Sequence, residues 1–142
     1  LEENYGVASD VFSVTSYKEL RREALDCERW NMLHPTDKQK TPYLTTLFDN
    51  DGVIVAASDY VKTHPDSISK WMPKPVVALG TDGFGRSEGR KELRDFFEVD
   101  ARFITLGALS ALAKEGKIKP SVVAKAIIDL EINPDKLNPA IS

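Results

Sequence analysis

The 142-residue sequence is poor in the residues that build covalent and metal-held sites. It has one cysteine, Cys27, and two histidines, His34 and His64. A single cysteine cannot form an internal disulfide, so we expect a reducing compartment, the cytoplasm. Each histidine precedes a proline, and no carboxylate stands at a metal-ligand spacing from either, so the sequence predicts no metal site.

Neither a surplus of positive charge nor a long apolar run is present. The chain has 19 Lys and Arg against 22 Asp and Glu, a net charge of −3, so binding to nucleic acid is not expected. No apolar run approaches the roughly 18–20 residues of a membrane span, so no membrane partner is expected either. Hydrophobic residues make up 42% and charged residues 29%, as in one soluble globular domain. Because Leu1 stands where an initiator Met would, we expect a part of a larger protein.

Catalytic machinery is also not evident in the sequence. There is no G-x-S-x-G motif for serine catalysis. Cys27 lies on the apolar face of a predicted helix, where a buried inert thiol is the common case. The residues taken alone therefore predict an α/β domain with no catalytic, cofactor-binding or metal-binding residue.

The chain is organised around residues 75–97, which predict a strand, a glycine-rich loop and a helix. Residues 75–79 form a short apolar run, typical of a buried strand. A helical pattern with Leu93, Phe96 and Phe97 on one side follows the loop. The residues of this candidate structural or interface loop are Gly80, Asp82, Phe84, Gly85, Arg86 and Ser87. We expect Asp82, Arg86, Glu88 and Arg90 to form an internal set of ion pairs around it.

A phosphate-binding function of the same loop is the alternative. Gly80-x-x-x-x-Gly85-Arg86-Ser87 matches the phosphate-loop pattern except for Arg at the Lys position. Arg is not interchangeable with that Lys, and Asp82 would repel a triphosphate. The alternative function is thus a stand-alone module that binds an anion or a partner through this loop.

The remaining patterns predict the rest of an α/β fold. Residues 10–14 and 53–57 predict two more strands, and residues 17–33 predict a helix capped by Ser16. Further helices are expected over residues 42–48, with a strand over Leu44–Phe48 as the alternative, and over residues 59–71, where Pro65 would split the helix near His64. Two more are expected from Asp100 to Gly116 and from Pro120 to Asn133, followed by a loose tail at 136–142. Strands that alternate with helices predict a three-layer domain with a mostly parallel sheet covered by helices.

Four stretches carry a resemblance to a known family. They are residues 5–16 (YGVASDVFSVTS), 26–35 (DCERWNMLHP), 79–87 (LGTDGFGRS) and 93–100 (LRDFFEVD). Together they resemble the C-terminal domain of the homodimeric, bacterial-type pyruvate dehydrogenase decarboxylating component. The shorter pattern Gly80-x-Asp82-x-Phe84-Gly85-x-Ser87 is similar to one in transketolase C-terminal domains generally.

This resemblance implies a fold and an activity for the parent protein. The fold would be a mostly parallel five-stranded sheet, with residues 1–142 as one N-terminally truncated domain that lacks the first strand. The parent would use thiamine diphosphate and Mg²⁺ to decarboxylate pyruvate and acetylate the lipoyl group of dihydrolipoamide acetyltransferase. Those cofactors belong to other domains of the parent, so no cofactor or catalytic residue is carried over. The implied role of this domain is packing against other domains, the homodimer partner or dihydrolipoamide acetyltransferase.

Overall fold

The computed structural model describes residues 1–48 and 50–142. Two strands and six α-helices are described, together with two 3₁₀ turns at Tyr43–Thr46 and Ser69–Trp71. The strands are β1 (Ile54–Ala57) and β2 (Val76–Leu79). The helices are α1 (Glu2–Tyr5), α2 (Tyr17–Leu33), α3 (Thr63–Asp66), α4 (Arg90–Phe96), α5 (Ala101–Lys114) and α6 (Pro120–Asp129).

The sheet confirms the α/β class and the parallel pairing. β1 and β2 are hydrogen-bonded in parallel, with Ile54 opposite Val76 and Ala57 opposite Leu79. Helix α5 crosses one face of the pair at Gly107. A Cβ on Gly107 would lie 3.4 Å from Val77 Cγ1 and 3.8 Å from Val55 Cγ1, at ordinary van der Waals distance. Helix α5 therefore packs directly on the side chains of both strands at this point.

Helix starts follow the predicted caps. Ser16 Oγ accepts a hydrogen bond of 3.2 Å from the backbone N–H of Glu19, as expected for the start of α2. Asp100 caps α5, since its Oδ1 accepts from the backbone N–H groups of Arg102 and Phe103 at 2.9 and 3.2 Å. Pro120 occupies the first turn of α6, where its missing N–H costs nothing.

Helix ends are less predictable from the sequence. Gly116 ends α5 with a φ of 74°, as expected for a left-handed cap. Glu98 and Glu131 adopt the same left-handed conformation after α4 and α6, with φ of 62° and 52°. In each of the three, the next residue donates its N–H back to a carbonyl in the last turn, as from Ile132 to Ile127 at 3.0 Å. Two glutamates thus occupy positions that normally favour glycine.

Two predicted elements are wrong. Residues 10–14 do not form a strand, although they alternate and contain β-branched residues, because no strand of the described residues pairs with them. The predicted helix over residues 59–71 is replaced by a loop, the single turn α3 and a 3₁₀ turn. Pro65 lies inside α3 and is buried, at a position in the first turn where no backbone N–H is needed.

The largest core cluster lies between α2 and the segments before each strand. It consists of Ala24, Leu44, Ile68 and Trp71. Trp71 keeps its indole N–H paired, because Nε1 donates to Glu28 Oε1 at 2.9 Å. No described helix combines the length and the apolar character that a membrane crossing requires.

Candidate interface loop

The candidate loop begins at the carboxyl end of β2 and is fastened to the loop that follows β1. The backbone N–H of Thr81 donates to the Tyr60 carbonyl at 2.9 Å, and Thr81 Oγ1 donates to the Asp59 carbonyl at 3.0 Å. Gly80 is buried between them, and a Cβ there would lie 2.5 Å from the Tyr60 carbonyl oxygen. The two loops therefore pack backbone against backbone.

Asp82 closes the same junction. Its Oδ1 accepts a hydrogen bond of 3.0 Å from the backbone N–H of Lys62. That N–H lies just before α3 and would otherwise lack a partner in the helix. The role of Asp82 in the described residues is thus to connect the two loops.

The tip of the loop is exposed, whereas its base packs against the backbone near Pro139. Gly83 has a φ of 99°, and a Cβ on it would lie 2.7 Å from the Pro139 carbonyl oxygen. Pro139 is buried there. Phe84, the next residue, is 88% exposed, and Gly85 and Ser87 are exposed as well. An aromatic side chain is therefore presented to solvent from a fixed base.

Arg86 leaves the loop and lies across a helix. Its guanidinium carbon is 4.2 Å from the centroid of the Phe96 ring, and Nη2 donates to the Ser142 carbonyl at 3.2 Å. Lys136 also lies near that ring, 5.5 Å from its centroid, and Nζ donates to the carbonyls of Asp95 and Phe96 at 2.6 and 2.8 Å. Residues 136–142 are thereby in contact with α4 and the loop.

The expected ion pairs within the rim are not found. Within residues 1–48 and 50–142, Asp82 and Arg86 have the partners given above, and no ion pair joins them to Glu88 or Arg90. The prediction was wrong because exposed residues that are neighbours in sequence need not face one another. In addition, the Asp82 carboxylate accepts a hydrogen bond from the backbone N–H of Lys62.

The ion pair at this edge of the sheet is one that the sequence did not predict. Arg94 Nε and Nη2 donate to Asp59 Oδ1 and Oδ2 at 3.2 and 2.9 Å, a bidentate contact. The Arg94 hydrogen bond holds the pKa of the Asp59 carboxyl below its usual value. These residues are 35 positions apart in the chain, so only the fold brings them together.

The other candidate groups have structural surroundings. Cys27 Sγ donates to Glu23 Oε1 at 3.2 Å, and burial raises the pKa of the Cys27 thiol, which opposes its use as a thiolate. The His34 ring stacks on Trp30 with a centroid separation of 3.7 Å. In the part of the chain that the structure describes, no three His, Cys, Asp or Glu side chains are grouped to hold a metal ion. The described residues therefore do not supply the set of oxygen ligands that Mg²⁺ requires.

Comparison with known proteins agrees with this architecture. A family model described as "Transketolase-like TK C-terminal domain" matches residues 1–100. The chain is 49% identical over 98% of its length to the pyruvate dehydrogenase E1 component of Pseudomonas aeruginosa. It is 48% identical over 100% of its length to that of Escherichia coli, and 51% identical over 98% to that of Haemophilus influenzae. The chain spans 16% of the length of each relative. The match over residues 1–100 shows that the chain belongs to the transketolase-like C-terminal domain family.

Proposed function

We propose that this chain is the C-terminal domain of a pyruvate dehydrogenase decarboxylating component of the bacterial type. The observation that carries the proposal is 48% identity along 100% of the chain to the E1 component of Escherichia coli. The longer protein would decarboxylate pyruvate and transfer the acetyl group to the lipoyl arm of dihydrolipoamide acetyltransferase in the cytoplasm. Thiamine diphosphate, held with Mg²⁺ by other domains, would supply the carbanion chemistry.

The proposed role of this domain within that protein is structural. Asp82, Arg86 and Cys27, the groups most suited to chemistry, are engaged in contacts with backbone groups, an aromatic ring and Glu23. The domain would extend over residues 1–142, a proposal supported by the contacts of Lys136 with α4. The exposed Phe84 on its anchored loop is suited to contact with another domain or with the partner subunit of a homodimer.

An activity assay of the full-length protein tests the function. Purified polypeptide is given pyruvate, thiamine diphosphate, Mg²⁺ and a lipoylated acceptor domain. We expect release of carbon dioxide and acetylation of the acceptor, both lost when thiamine diphosphate is omitted. Absence of both products from a folded, cofactor-loaded protein would overturn the proposal.

A substitution at Phe84 tests the role of the loop. Because Phe84 is 88% exposed, Phe84→Ser should change the stability of the isolated domain by less than about 0.5 kcal/mol. In the full-length protein, loss of a buried aromatic contact should cost more than about 1 kcal/mol of unfolding or assembly free energy. Phe84→Leu, which keeps an apolar side chain, is the matched control and should lose less. Equally small effects of both substitutions in the full-length protein would show that Phe84 is not part of an interface.

A further inference from the structure

The chain after α6 folds into two successive turns of the same kind. Residues 133–136 (NPDK) and 138–141 (NPAI) each begin with Asn followed by Pro. In both turns the Asn carbonyl accepts the N–H of the fourth residue, from Lys136 at 3.3 Å and from Ile141 at 3.1 Å. The Asn Oδ1 accepts the N–H of the third residue, at 3.0 Å in the first turn and 2.9 Å in the second. Asn and Pro favour such turns, so this segment has a defined local shape without a helix or strand.

The first turn is attached to the carboxyl end of α4 by one side chain. Lys136 Nζ donates to the carbonyls of Asp95 and Phe96 at 2.6 and 2.8 Å. The ammonium nitrogen also lies 5.5 and 5.3 Å from the ring centroids of Phe96 and Phe103. A positive charge is stabilised both at this end of a helix and near an aromatic ring. Removal of the Lys136 ammonium should therefore weaken the attachment of this turn.

The second turn packs on the candidate loop. A Cβ on Gly83 would lie 2.7 Å from the Pro139 carbonyl oxygen and 3.0 Å from Ala140 Cα, so the two backbones are in direct contact there. Just beyond the turn, the Ser142 carbonyl accepts a hydrogen bond of 3.2 Å from Arg86 Nη2. The conformation of the loop tip therefore depends on the position of this turn.

Little buried apolar surface secures the two turns. Leu137 and Ile141 are 76% and 87% exposed, whereas Pro139 is buried. Ile132, just before the first turn, is buried and donates its N–H to the Ile127 carbonyl at 3.0 Å. The chain is thus packed on the domain up to Ile132 and attached beyond it mainly through polar contacts. A segment of this kind opens at a lower free energy than the core.

We propose that residues 133–142 form a strap that opens and closes as a unit and that, when closed, fixes the conformation of the candidate loop. The closed strap holds Gly83 at a φ of 99° and leaves Phe84 directed to solvent. Opening removes the backbone contact at Gly83 and the carbonyl that Arg86 binds, so the loop tip becomes mobile. The state of the strap thus determines whether Phe84 is presented from a fixed base. Every contact involved lies within this chain, so the strap does not depend on the activity of the longer protein.

Proteolysis of the full-length protein under native conditions tests the coupling of strap and loop. Chymotrypsin cleaves after Phe84 once the loop tip is mobile, at a rate that follows the population of the open strap. Lys136→Met removes the ammonium group and should speed this cleavage roughly 10-fold, because charge-assisted hydrogen bonds are lost. Lys136→Arg keeps the positive charge and should change the rate less. Lys125→Met, which removes an ion pair with Asp129 on α6, is the matched control and should leave the rate unchanged.

Hydrogen exchange resolved to single residues tests whether the strap opens as a unit. The amides of Lys136 and Ile141 lie in different turns, yet they should have the same protection after correction for their intrinsic exchange rates. Lys136→Met should lower the protection of the Ile141 amide by the same factor by which it speeds cleavage. The amide of Leu109, buried in α5, is the internal control and should keep its protection.

Three results would overturn the proposal. Cleavage after Phe84 could be undetectable, or equally fast in the wild-type protein and in Lys136→Met, which would mean that the loop is held without the strap. The Ile141 amide could keep its protection in Lys136→Met, which would mean that the two turns open separately. The Leu109 amide could lose protection together with Ile141, which would mean that the substitution destabilises the whole domain.

Discussion

The carboxylate of Asp82 accepts a 3.0 Å hydrogen bond from the backbone N–H of Lys62, and so joins the loops that follow the two parallel strands. Asp82→Ala leaves that partly buried N–H without an acceptor and should lower the free energy of unfolding by about 1 kcal/mol. Asp82→Asn retains an acceptor oxygen, so it should cost less than about half as much. Urea unfolding of the three proteins measures the difference. Equal losses in the two variants would show that charge, and not this hydrogen bond, matters at residue 82.

Gly80 is predicted not to tolerate substitution by any residue with a side chain. A Cβ there would lie 2.5 Å from the Tyr60 carbonyl oxygen and 2.8 Å from the Lys62 nitrogen, and backbone atoms cannot move aside easily. Gly80→Ala should therefore destabilise the chain by about 1–3 kcal/mol. Gly85→Ala is the matched control from the same loop, since nothing lies within 4 Å of its Cβ position. Thermal unfolding compares them, and a Gly80→Ala protein as stable as Gly85→Ala would contradict the backbone packing of the two loops.

Glu131 offers a stabilising substitution. It follows α6 with a φ of 52°, a conformation that costs an L-residue roughly 1–2 kcal/mol and glycine little. Allowing for the greater freedom of glycine in the unfolded chain, Glu131→Gly should raise the free energy of unfolding by about 0.5–1 kcal/mol. Gly116→Ala, at the equivalent position after α5, should lower it by a similar amount. Chemical denaturation of both variants checks the opposite signs; a loss of stability in both would show that Glu131 makes a contact that outweighs its strain.

The stability of the chain should fall in acid partly through Asp51. Hydrogen bonds from Lys117 and then Lys74 lower the pKa of the Asp51 carboxyl to about 2 from an ordinary 3.8. The unfolded chain therefore binds this proton more readily than the native chain, and the free energy of unfolding decreases as pH falls from about 4 to about 2. Asp51→Asn should reduce the slope over that interval. Glu3→Gln, on α1 and away from this group, is the control; an unchanged slope in Asp51→Asn would refute the assignment.

Local signals in the sequence predicted most helix boundaries. Ser16, Asp100 and Pro120 were identified at helix starts and Gly116 at a helix end, because caps depend on a few neighbouring residues. The left-handed conformation of Glu131 after α6 was not predicted, since glutamate has no preference for that conformation. The prediction of a strand at residues 10–14 was wrong because a strand needs a distant partner as well as a suitable sequence.

The candidate loop was located by its glycines, but its contacts were not predicted. The strand–loop–helix order of β2, the loop and α4 is confirmed. The partners of Asp82 and Arg86, namely Lys62, Phe96 and Ser142, lie 10 or more positions away in the chain. Whether the loop contacts other domains stays a prediction.

The intact mass of the source polypeptide shows whether this chain is one domain of a longer, E1-like protein. Because 143 matched residues are 16% of the Escherichia coli relative, that relative has about 900 residues. At the 15.8 kDa of this 142-residue chain, a protein of that length has a mass of about 100 kDa. We predict a mass near that value for the undigested protein. A mass of 15.8 kDa would contradict the proposed function, because the domain would then stand alone without the rest of a decarboxylase.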